Sequence, residues 1–229
     1  LAGCGSLGEF TGERPAPSPD DPSEGTTGAG EGSAPDSTDV DGELRIHHID
    51  VGQGDSTLIR TPDGETILID TGDWREGGSV VIELDAHDIE RIDHLIATHA
   101  HADHIGGHAA IIDEFETNRG GIGAVYDPGI PHTSQTYENY LDAVETHDVE
   151  LFIVQEGDEL PIEDDALSGL VVNPPADEGE DLNAYSVAIV FEFGEIRYLT
   201  TGDAEAETEG RMLDAWADEL DADVYQVGH

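Results

Sequence analysis

The densest run of chemically capable side chains in this 229-residue sequence is His99-Ala100-His101-Ala102-Asp103-His104, three imidazoles and a carboxylate within six positions. Imidazole and carboxylate together suit first-row divalent ions. The stretch Asp93-His94-Leu95-Ile96-Ala97-Thr98 just before them reads as a buried strand. Side chains alternate along a strand, so His99 and His101 point to one side and reach one metal. The chain then turns, so that Asp103 and His104 face a second ion, and Ile105-Gly106-Gly107 opens the next helix. Alanine at the intervening positions leaves the turn uncrowded. A lone histidine is more often a surface or core residue than a ligand, but four such groups clustered at a strand end point to metal binding. Two ions held there lower the pKa of water from about 15.7 toward about 7, and the resulting hydroxide makes the run a candidate hydrolytic centre.

Short β-type runs precede the cluster at 44–51, 56–60 and 65–70, with Pro62-Asp63-Gly64 as a turn between the last two. A helix is expected over 79–87. Beyond the cluster, helices at 107–115 and 134–147 alternate with strands at 124–126 and 151–154. Strands at 169–172, 186–193 and 196–200, a helix at 204–220 and a last strand at 223–227 follow. Strands that first pair as hairpins and then alternate with helices suit an α/β sandwich of two mixed sheets flanked by helices. There is no internal repeat.

Charge is the strongest compositional signal: 53 acids face 8 basic residues, all of them Arg, for a formal net charge of −45. Residues 1–42 hold nine of the acids and one Arg, so the part after them carries −37. Such self-repulsion destabilises a compact state at low salt, whereas at 1 M salt the Debye length falls to about 3 Å and screens it. The composition is that of a protein adapted to near-saturating salt. A single cysteine excludes an intramolecular disulfide.

The HxHxDH run resembles the signature of the metallo-β-lactamase superfamily, and further segments match it in order and spacing. Asp70-Thr71-Gly72 resembles the first acidic motif, whose Asp supports the metal site by hydrogen-bonding a ligand. Thr201-Gly202-Asp203 resembles the segment whose Asp bridges the two metals, and Val227-Gly228-His229 the start of the segment that donates the last histidine. The resemblance spans residues 43–229 and implies the αββα fold. It also implies a metal set of His99, His101, Asp103, His104, Asp203 and His229, with Asp103 and Asp203 serving catalysis. A narrower resemblance joins Asp50-Val51-Gly52-Gln53-Gly54-Asp55-Ser56, then Asn183 and Ser186, to the ComEC/Rec2-type competence proteins. It implies that Asp50, Gln53, Asp55, Ser56, Asn183 and Ser186 lie near the site, and that the domain continues past His229. That family is associated with DNA uptake and with nuclease or phosphodiesterase chemistry. One departure is the absence of histidine from Asp181–Ser186, where true β-lactamases supply a third His to the first metal, so that this site is short of a protein ligand and its occupancy stays open.

The expected function is therefore metal-dependent hydrolysis of a phosphodiester, in DNA, by hydroxide generated between two divalent ions, zinc or manganese. The competing readings are a metal hydrolase of a lactone, thioester or small phosphoester, and a non-catalytic DNA-binding module. Leu1-Ala2-Gly3-Cys4 is similar to a lipobox, which implies lipidation at Cys4 and an outer-face, membrane-anchored lipoprotein. Residues 5–42, rich in Gly, Ser, Pro, Thr and Asp, are expected to be a flexible tether to the hydrolase domain. The plain reading makes His47, His48, His87, His94 and His147 strand or surface histidines, His132 a loop residue, and Trp74, Tyr185 and Trp216 core or surface aromatics.

Overall fold

A computed structural model describes residues 8–9, 40, 42–176 and 179–228. Cys4 and most of the expected tether lie outside the described residues, as does His229. Eleven strands and five helices are present among the described residues. In chain order they are β1 (Gly8–Glu9), β2 (Arg45–His48), β3 (Thr57–Arg60), β4 (Thr66–Ile69), α1 (Gly77–Ala86), β5 (Ile92–Ile96), α2 (Ala102–Ile105), α3 (His108–Asn118) and β6 (Ile122–Asp127). Then come α4 (Gln135–His147), β7 (Leu151–Ile153), β8 (Leu167–Asn173), β9 (Ala188–Phe193), β10 (Ile196–Thr200), α5 (Ala206–Trp216) and β11 (Val224–Gln226).

The strands form two mixed sheets, ordered β1-β7-β6-β5-β4-β3-β2 and β11-β10-β9-β8. Strands β2 to β4 pair antiparallel and β4 to β7 parallel, which is the hairpin-then-crossover order expected from the sequence. The period of two explains why β4 is buried at all four positions. Ile67 and Ile69 face inward, against Val171, Ile189, Phe191 and Tyr198 of the other sheet. Leu68 faces the opposite way, into a layer with Leu84, Ile111, Phe115 and Tyr140 of α1, α3 and α4. Helix α5 covers the outer face of the smaller sheet, where Met212 packs on Val190 and Leu199. The result is the expected αββα sandwich. No helix among the described residues is long and apolar enough to cross a membrane.

Helix ends follow local chemistry. Ser134 caps α4 by accepting from the Tyr137 N–H at 3.2 Å, and Asp148 ends it in the left-handed conformation. The next helix opens at Gly107 as expected, with Gly107 as the N-cap of α3, but an extra turn precedes it. The His104 and Ile105 N–H groups both donate to the His101 carbonyl at 3.1 Å and close a one-turn helix, α2, inside the histidine run itself; α3 begins at His108. The strand expected from Ser186 begins at Ala188, because the Val187 N–H leaves the ladder and donates to Thr98 O of the other sheet at 2.8 Å.

Candidate metal centre

The site lies where the parallel strands β4 and β5 end and where β10 of the facing sheet ends. Asp70 follows β4, Thr98 and His99 follow β5, and Asp203 follows β10. Two groups of ligand atoms, each within 4.8 Å of one another, converge there: His99, His101 and Asp203, and Asp55, His104 and Asp203. His101 keeps an extended backbone, so it and His99 do share a side, with His99 Nε2 and His101 Nδ1 at 2.8 Å. The one-turn α2 then swings His104 beneath them. Asp203 Oδ2 lies 3.8 Å from His99 Nε2 and 3.4 Å from His104 Nε2. Two atoms each about 2.1 Å from one tetrahedral ion sit roughly 3.4 Å apart, so the spacing of this donor set fits divalent-metal binding.

Asp70 is fully buried and organises the centre. Its Oδ1 accepts from the Thr98 N–H at 2.8 Å, and its Oδ2 accepts from Thr98 Oγ1 at 2.6 Å and from His104 Nδ1 at 2.7 Å. Holding the proton on Nδ1 turns Nε2 of His104 toward Asp203. Burial works against the Asp70 charge, yet His104, its hydrogen bonds and His99 hold the carboxyl below its ordinary value. His104 is likewise opposed by burial, but Asp70 and Asp203 push it up to about 10 in the absence of an ion. Burial, with His104 adding to it, pushes His99 down to about 4 and leaves that imidazole neutral and ready to ligate.

The other expected residues divide. Asp55 enters a ligand group directly, and burial together with Asp70 raises its pKa. Asp103 belongs to neither group; its Oδ2 accepts from Gln53 Nε2 at 2.8 Å and ties the Gly-rich loop to α2. Ser56 donates to Asp70 O at 3.0 Å, and Ser186 Oγ accepts from the Asp203 N–H at 3.3 Å, so each steadies a site carboxylate through the backbone. Asn183 donates to Glu205 at 3.3 Å. Asp50 accepts from the Gly52 N–H at 3.1 Å and shapes the turn, away from both groups. His132 is part of no ligand group among the described residues.

Two contributors escaped the sequence reading. His108 is fully buried, meets Thr71 Oγ1 at 2.8 Å through Nδ1, and is pushed by burial down to about 4. Its position four residues past His104 is the only signal, and it has meaning only once the chain is helical. Gln226 hydrogen-bonds Asp55 through its side chain, while its Oε1 accepts from Thr57 Oγ1 at 3.1 Å and from the Tyr198 hydroxyl. Its signal was a lone amide in an otherwise apolar strand beside Val227-Gly228-His229.

Comparison with known proteins identifies the family. The model of the metallo-beta-lactamase superfamily matches residues 49–229. ComE operon protein 3 of Bacillus subtilis (strain 168) is 33% identical over 206 residues, which cover 82% of this chain and 25% of that protein. Recombination protein 2 of Haemophilus influenzae is 29% identical over 193 residues, covering 81% of this chain and 21% of that one. The chain thus spans about a quarter of the length of these curated relatives. Among solved structures, a metallo-beta-lactamase from Hirschia baltica matches with a TM-score of 0.43 and 18% identity over 81% of this chain and 86% of that one.

Proposed function

Because the chain belongs to the metallo-β-lactamase superfamily of hydrolases, we propose that it hydrolyses phosphodiester bonds, in DNA, at a two-metal centre. The observation that carries the reading is one carboxylate, Asp203, common to both ligand groups, with its Oδ2 3.8 Å from His99 Nε2 and 3.4 Å from His104 Nε2. The phosphodiester assignment is supported by the Asp50–Ser56 run and by the similarity to ComE operon protein 3 and Recombination protein 2.

His99, His101 and Asp203 would hold one ion, and Asp55, His104 and Asp203 the other, zinc or manganese. Ions bound there supply a water activated at neutral pH and a clamp on the phosphate oxygens. The chain's own residues do the positioning. Asp70 fixes the His104 tautomer, Ser186 holds the backbone of Asp203, and Gln226 orients Asp55. Asp103, half-buried beside Gln53, would hydrogen-bond the attacking water or take up its proton. A groove of about 590 Å³, lined by Pro128, Ile130, Pro131, Ile153 and Tyr185, lies past the ends of β6 and β7 and would offer a polymer backbone room. A polyanion approaches this acidic domain in molar salt, where long-range repulsion is screened and direct coordination dominates binding.

The test is cleavage of end-labelled DNA in molar KCl with Mn²⁺ or Zn²⁺, comparing wild type with His101→Ala. Metal-dependent cleavage lost in the variant supports the reading. Wild-type protein that binds metal and leaves DNA intact, while hydrolysing a lactone or thioester, overturns it. The same reading anchors the domain to the outer membrane face through lipid on Cys4. Cys4→Ser should then move the protein from the membrane to the soluble fraction, and unchanged partition refutes the anchor.

A further inference from the structure

A second convergence of metal ligands lies away from this centre, on the outer edge of the larger sheet. His47 is in β2, the last strand of that sheet. It pairs in register with Leu58, whose side chain belongs to the helix-covered layer, so His47 faces the helices as well. Helix α1 begins beside the catalytic end of the sheet and runs away from it. At about 1.5 Å per residue, its ten residues put its far end roughly 15 Å off. Glu83 and His87 lie at that far end, four residues apart and therefore on one side of the helix.

Strand and helix bring the three side chains together. His47 Nε2 is 3.6 Å from Glu83 Oε2, and the His47 and His87 rings are 4.4 Å apart between centroids, tilted by 53°. One ligand atom from each of the three lies within 4.8 Å of the others. At 3.6 Å the imidazole and carboxylate are too far apart for a hydrogen bond, yet the separation is that of two ligands on one ion. The His87 ring has no hydrogen-bond partner among the described residues, and Arg60, the nearby cation, donates to the His87 backbone carbonyl at 3.4 Å.

We infer that His47, Glu83 and His87 form a separate binding site for one first-row divalent transition ion, which ties α1 to the edge strand β2. Two imidazoles and one carboxylate select Zn²⁺, Ni²⁺, Co²⁺ or Cu²⁺ over the oxygen-seeking Ca²⁺ and Mg²⁺. The side chains of His47 and Glu83 remain 40% and 45% exposed, which leaves room for water to complete the coordination shell.

The test is equilibrium dialysis of the full chain against Ni²⁺ in molar KCl, with metal analysis, for wild type, His87→Gln and Glu83→Gln. The comparison is repeated in an Asp203→Asn background, which removes the carboxylate shared by the other two groups. Each variant should hold one ion fewer per chain than its parent in both backgrounds, with an unchanged circular dichroism spectrum. Equal stoichiometry in parent and variants overturns the site. So does a deficit that vanishes in the Asp203→Asn background, because the ion lost would then have belonged to the catalytic centre. Glu83 is half-exposed, so its isosteric amide tests the site without a threat to folding.

Discussion

Adding a single methyl group at Gly54 should separate the catalytic centre from its supporting loop. Gly54 has φ of +88°, and a Cβ built there would lie 1.8 Å from Asp103 O and 2.7 Å from Asp103 C. Both partners are backbone, so neither yields by a rotamer change. Carbon contacts are relaxed only beyond about 3.5 Å, so loop or helix must retreat by roughly 1.5 Å. That retreat breaks the 2.8 Å bond from Gln53 to Asp103 and shifts Asp55, one residue on, relative to His104 and Asp203. A misplacement of about 1 Å can cost on the order of 100-fold in rate. The left-handed backbone adds about 1–2 kcal/mol of strain and the overpacking about 1–3 kcal/mol. Gly52→Ala is the internal control: its φ is +73°, but nothing lies within 4 Å of the new methyl, so it meets the strain without the collision. Turnover of a phosphodiester substrate at saturating metal, with urea unfolding of the same samples, should show Gly54→Ala reduced about 100-fold and Gly52→Ala active but less stable. Equal turnover in both variants would falsify the argument that the loop is wedged against α2.

Two further outcomes follow from charge. Burial pushes the Asp127 carboxyl up to about 6, against the opposing pull of the Gly129 N–H and the Tyr140 hydroxyl. The fold thus favours the neutral acid, a stabilisation complete below pH ~4 and lost as pH rises through about 6. At 1.36 kcal/mol per pKa unit, wild type should lose about 3 kcal/mol relative to Asp127→Asn between these limits. Urea unfolding of both proteins with chelator present measures the difference, and a gap that stays constant with pH refutes it. The net charge of −45 should make the melting temperature climb steeply from 0.1 M to 3 M KCl, and a flat profile would remove the case for salt adaptation.

What could be read from the sequence was local, and what could not was decided across long stretches of chain. The β-type runs at 65–70 and 93–98 placed two strands, and the period of two set His99 and His101 side by side. That rule fails two residues later, where the chain becomes the one-turn α2 and a side chain's direction depends on a helical step. Asp103 consequently turns to Gln53, fifty positions away, and Asp55 takes the place beside His104 that adjacency had suggested for Asp103. His47 lies in a strand as expected, while His87, expected at the surface or a strand edge, is half-buried at the end of α1. Only the pairing of β2 in the sheet and the packing of α1 over it bring them together with Glu83.

The same distinction explains why the catalytic centre and the core of the sandwich assemble together. Both candidate ligand groups include Asp203, which follows β10 of the smaller sheet, while their imidazoles follow β5 of the larger one. The sheets meet at the site through the Val187 N–H to Thr98 O bond and through Gly202, where a Cβ would come within 2.9 Å of Thr98 and 3.0 Å of Ser186. Thr98 is in turn the residue that satisfies both oxygens of Asp70, and Asp70 sets the His104 tautomer. A loss of fit between the sheets is therefore transmitted through Thr98 and Asp70 to the candidate ligands, with no ligand altered. Substitutions in the layer between the sheets, at Ile69, Ile96 or Ile189, should accordingly weaken metal binding in proportion to the packing they remove.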